Sequence, residues 1–149
     1  MKRPSRPRVP GIEQWRGYRN DIDARHAHRR FFGKSIPEVM EYFTGGRSIQ
    51  VTQELRHMPR SAFQYYVLAF ADYLASDMAV NDCDAASCFL GLLVDREKLD
   101  PGSVADMFGK LEPTVRLVAA GQTRFDADVD IYGSFPERAA EVLARFSQA

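Results

Sequence analysis

Apolar residues return at steps of three and four along most of the chain, a spacing that predicts helices and not strands. The clearest run is SAFQYYVLAFADYLA, where Phe63, Tyr66, Val67, Phe70, Tyr73 and Leu74 fall on one helical stripe. Pro59 is placed to open this helix, predicted over 59–76. Asp82 or Asp84 then caps a second core helix carrying Ala86, Phe89, Leu90, Leu92 and Leu93. Pro101 starts a shorter helix with Val104, Met107, Phe108 and Leu111, and Pro113 begins another through Val115, Leu117 and Val118 toward Phe125. The last helix opens at Pro136 and presents Ala139, Val142, Leu143 and Phe146.

The earlier part of the chain is less regular. Ile12, Trp15, Tyr18 and Ile22 suit one amphipathic helix from Ile12 to about Arg30. Ser35, with Glu38 three residues on, forms a capping-box pattern for a helix that buries Val39, Met40, Tyr42 and Phe43. Gly45 and Gly46 end it. Residues 48–57 alternate like a strand at Ile49 and Val51, but Thr52 to Arg56 favours a helix. No pair of strands joined by a hairpin turn stands out, and no fixed-period repeat suggests a solenoid. The expected fold is all-α: an antiparallel or irregular bundle of about six or seven helices over 11–149, preceded by an extended basic arm at 1–10.

Size fits this picture. A chain of 149 residues makes one domain and buries roughly two-thirds of its unfolded surface, enough to fold without disulfides or metals. Cys83 and Cys88 are five apart, which is neither a CxxC pair nor a zinc-knuckle spacing, so both are expected as reduced structural thiols. No apolar run is long enough to cross a bilayer, and the basic opening has no apolar h-region behind it. A cytoplasmic protein with no membrane partner is the expectation.

Charge changes the picture more. The chain is neutral in total, yet Met1 to Lys34 holds 10 Lys or Arg against three acids, a local charge of +7, and the remainder carries −7. A basic segment on an acidic body either folds back on that body or leaves one surface for a partner of opposite charge. Nucleic acid is disfavoured, because a body of −7 repels a duplex at close range.

Candidate chemistry is sparse. Gly33-Lys34-Ser35 resembles the end of a phosphate-binding loop, but His28 stands where that loop needs glycine. Asp126, Asp128, Asp130 and Glu137 match four ligand positions of an EF-hand loop. Ile131 occupies the position that wants glycine, which argues for an acidic surface loop and no metal. His26 and His28 point in different directions on a helix, and with His57 they read as solvated side chains. Tyr65 and Tyr66 are adjacent, so one of them is expected at the surface. No serine or cysteine sits in a nucleophile context, so no catalytic residue and no cofactor are expected.

Together GKSIPEVMEYF, ELRHMPRSAFQYYVLAFADYL, DAASCFL and FDADVDIYGSFPERA resemble small all-α bacterial proteins of the toxin-immunity type. The resemblance covers residues 31 to 146 and lies in core spacing plus one acidic loop. It implies a non-enzymatic protein that binds and neutralises a cognate protein toxin acting in the cytoplasm, with no cofactor. Asp126, Asp128 and Asp130, with Tyr132 as aromatic anchor, are the expected partner contacts. The alternative is a small helical enzyme or metal-dependent switch built on the acidic loop 126–137.

Overall fold

The computed structural model describes residues 8–146. The expectation of an extended arm over 1–10 falls, for residues 1–7, outside the described residues. Eight α-helices are present among the described residues, and no strand: α1 (Ile22–Phe31), α2 (Ile36–Met40), α3 (Ser48–Arg56), α4 (Arg60–Ala75), α5 (Cys83–Leu99), α6 (Phe108–Ala119), α7 (Val129–Tyr132) and α8 (Phe135–Phe146). The fold is all-α, with two of the eight helices only four or five residues long.

Helix α4 is the centre. It is apolar nearly all round, as a helix enclosed by its neighbours must be, and α2, α3, α5, α6 and the 3₁₀ turn Glu13–Trp15 all pack on it. Around it, α3 pairs with α5, while α8 lies across α6 and α5. Phe63, Val67, Phe70, Leu74, Phe89, Leu93 and Val142 share one core, with Phe146 packed at its edge on Phe108. Phe70 sits between the rings of Phe43 and Phe89.

Several local rules hold as written in the chain. Ser35 and Glu38 form the full capping box of α2, and the Asp82 side chain accepts the Ala85 N–H to cap α5. Asp82 also receives the Tyr73 hydroxyl at 2.6 Å and the Ser48 hydroxyl at 3.1 Å, so one carboxylate joins α3, α4 and α5. Residues 48–56 are helical. Both cysteines are free thiols.

Three expectations are corrected. The single helix from Ile12 to Arg30 is two 3₁₀ turns, Glu13–Trp15 and Tyr18–Asn20, followed by α1. Gly17 between them takes a left-handed φ of 91°, which ends a right-handed helix, and Asp21 then caps a new one at the Asp23 N–H. Trp15 is buried, whereas Ile12 and Ile22 are exposed.

Pro113 does not begin a helix; it lies inside α6. Proline removes one amide donor, but Pro113 and Gly109, whose carbonyl loses that donor, both face water. Tyr65 and Tyr66 are both buried, at 8% and 0% exposure. Helix α2 covers Tyr65, whose oxygen accepts the Ile36 N–H at 3.3 Å, and Tyr66 Oη lies 2.7 Å from Phe31 O. A central helix has two inner faces, so adjacent residues can both be inside.

Candidate partner-binding surface

The loop between α6 and α8 begins at Gly121, where the Phe125 ring packs against the glycine Cα. Phe125 is buried and anchors the loop, while Asp126 takes a left-handed φ of 54°, a conformation aspartate tolerates better than most residues. Asp128 then caps α7 through the Asp130 N–H at 2.8 Å. Gly133, at φ 78°, turns the chain into α8.

This loop is fastened to the segment joining α4 and α5. The Asn81 N–H donates to Arg124 O at 3.0 Å, and Arg124 Nη2 donates to Leu74 O and Ser76 O. Tyr132 Oη lies 2.8 Å from Asp84 Oδ1 and accepts from the Cys83 thiol at 3.1 Å. Arg138 reaches Ser87 and Tyr132 O. Both loops therefore hold one arrangement at one end of the molecule.

The four expected contact residues meet different fates. Asp126, Asp128 and Asp130 are exposed, as a contact surface needs. Tyr132 is half-buried and tied to α5, so it fastens the loop and is not the free aromatic anchor that the chain suggested. The exposed apolar groups are instead Ile131 at 73% and Val129 at 53%, with Met78 at 51% and Val80 at 44% on the neighbouring segment. Asp77 is also exposed, and Asp82 and Asp84 are half-buried nearby. Each of the two joined segments thus exposes two apolar side chains and at least one aspartate, with Arg124 and Arg138 engaged in holding the loops.

No family model, curated protein or solved structure matches this chain.

The acidic loop does not form an EF-hand cage. Ile131 lies in a helical turn, Asp128 and Asp130 sit at the start of α7, and Glu137 belongs to the first turn of α8. Among the described residues, the only three or more potential metal ligands that converge are Asp21, Asp23 and His57, elsewhere in the fold.

The basic segment folds onto the body through residues 8–34 and shapes a cavity of about 710 Å³. Trp15, Tyr18, His28 and Phe32 form its aromatic wall, with Arg16 and Arg19 beside them. The His28 ring stacks on Tyr18 at 3.8 Å between centroids. Burial, assisted by the Arg19 charge, lowers its pKa below the usual histidine value. His28 is thus a packed aromatic group, which corrects its reading as a solvated side chain. His57 is corrected too: Asp21 and Asp23 each stand 3.8 Å from one of its ring nitrogens. These contacts join segments more than thirty residues apart, so no spacing along the chain announces them.

Proposed function

We propose that this protein binds and blocks a basic protein partner, as the immunity partner of an antibacterial toxin domain acting in the cytoplasm. One observation carries the reading: two loops fastened to each other each expose apolar side chains and aspartates, Met78, Val80 and Asp77 on one and Val129, Ile131, Asp126, Asp128 and Asp130 on the other. Apolar groups that are held rigid lose little entropy on binding, and they exclude water around neighbouring charges. The surrounding carboxylates speed encounter with a cationic surface and pair with Arg or Lys at its rim. For a toxin that grips an anionic substrate, such a surface covers the grip.

The test is co-expression with the toxin domain encoded beside this protein. Cells should survive only when this protein is present. Asp128→Lys with Asp130→Lys should slow association, with a larger effect at low salt than at high salt. Ile131→Asp should instead speed dissociation. Full protection by both variants removes this surface from the interface, and absence of protection by the unaltered protein overturns the reading.

A further inference from the structure

A second site lies where the basic segment meets the acidic body, between α1 and α3. Asp21 caps α1 with Oδ1 and turns Oδ2 toward His57 Nδ1 at 3.8 Å. Asp23, two residues on, places Oδ2 3.8 Å from His57 Nε2. One ligand atom from each of the three residues lies within 4.8 Å of the other two.

The chain positions further groups beside them. His26 lies one turn after Asp23, and Glu54 lies one turn before His57, so each helix offers a carboxylate and an imidazole at a spacing of three. Asp23, His26, Glu54 and His57 line one cleft of about 330 Å³. Glu54 is only 4% exposed. Its Oε2 forms ion pairs with Arg30 Nε at 2.5 Å and His26 Nε2 at 3.3 Å, yet neither carboxylate oxygen has a well-directed hydrogen bond among the described residues, and Oε1 has no ion-pair partner either. A buried carboxylate oxygen without a partner is costly in a folded protein, and it draws positive charge. Arg30 and His26 pair with Glu54, whereas Asp21 and Asp23 meet only the His57 ring among the described ion pairs, leaving two negative charges that a dication cancels.

We propose that Asp21, Asp23 and His57 bind one Zn²⁺-class divalent ion at the mouth of this cleft. Mixed imidazole and carboxylate donors suit zinc and its first-row neighbours, whereas magnesium and calcium prefer all-oxygen sites. A tetrahedral ion with ligands at about 2.1 Å separates them by about 3.4 Å, so the three groups close from within 4.8 Å. Because the ion takes only one His57 nitrogen, the aspartate facing the other nitrogen swings across on binding. Both aspartates are exposed, Asp23 with room for that movement and Asp21 keeping Oδ1 on the α1 cap while Oδ2 turns. Glu54 stays as the buried negative floor, and water completes the coordination. The site ties the start of α1 to the end of α3 and is independent of the acidic loop.

Calorimetric titration of Zn²⁺ into chelator-treated full-length protein tests this. One ion per chain is expected, bound in the micromolar range or tighter and not displaced by millimolar Mg²⁺. His57→Gln and Asp23→Asn should each weaken binding at least about tenfold with the helical circular dichroism intact. Asp21→Asn is the gentler variant, because asparagine keeps the helix cap and removes the charge. Cys83→Ser with Cys88→Ser, and Asp128→Asn with Asp130→Asn, should leave affinity unchanged. In the unaltered protein, Zn²⁺ should move the imidazole NMR signals of His57 and leave those of His28. No saturable binding, binding that survives His57→Gln, or binding lost with the cysteines overturns the proposal.

Discussion

Tyr132 Oη lies 2.8 Å from Asp84 Oδ1, forty-eight positions earlier in the chain, and this contact fastens the acidic loop to α5. Its loss is predicted to loosen the loop without removing a binding group. Tyr132→Phe should cost about 1–3 kcal/mol in urea unfolding, since the hydroxyl donates to a carboxylate and also accepts the Cys83 thiol. Under the proposed function, protection in the co-expression assay should change little, whereas Ile131→Asp should weaken it strongly. Tyr132→Phe weakening protection as much as Ile131→Asp would make the hydroxyl itself a contact.

Gly121 has a constraint that its backbone angles do not reveal. A Cβ there would stand 2.6 Å from the Phe125 ring and 2.9 Å from Leu117 O. Since a backbone oxygen cannot move aside, Gly121→Ala should destabilise by about 1–3 kcal/mol, the range for overpacking. Equal midpoints for the two proteins in denaturant would refute this packing.

Phe70 is fully buried against Phe43 and Phe89. Phe70→Ala should cost about 3–5 kcal/mol, since neither ring can collapse fully into the space left. Thermal unfolding followed by circular dichroism measures it, and an unchanged midpoint would contradict the described core.

Glu97 closes the turn after α5. Its carboxylate accepts the N–H groups of Gly102, Val104 and Ala105 at 2.6–3.0 Å. Burial alone would raise its pKa, but the three amide donors outweigh burial and hold it below the ordinary glutamate value. Asp100 is lowered as well, chiefly by its hydrogen bond from Arg60. A carboxylate with a depressed folded-state pKa adds stability that is complete above the unfolded pKa and is lost as pH falls through the folded one. Stability should therefore decline as pH drops through and below the usual carboxylate range. Glu97→Gln should lower stability at pH 7 and flatten that decline. Parallel acid profiles for the two proteins would show that Glu97 does not contribute.

The chain by itself determined the fold class, the strongest helices and their core. Phe63, Val67, Phe70 and Leu74 face inward because a helix turns 100° per residue, whatever lies beyond it. The caps at Ser35 and Asp82 were equally legible, because their hydrogen bonds close within three residues. The acidic residues of the 126–130 loop were visible as surface candidates, but which side chains project there was not. Tertiary structure turned Tyr132 onto Asp84 and left Val129 and Ile131 in water. It also buried Tyr65 beneath α2, kept Pro113 within α6 and brought Asp21 and Asp23 to His57. Those outcomes depend on contacts between distant segments and on which faces neighbouring helices cover. Local periodicity carries no information about either.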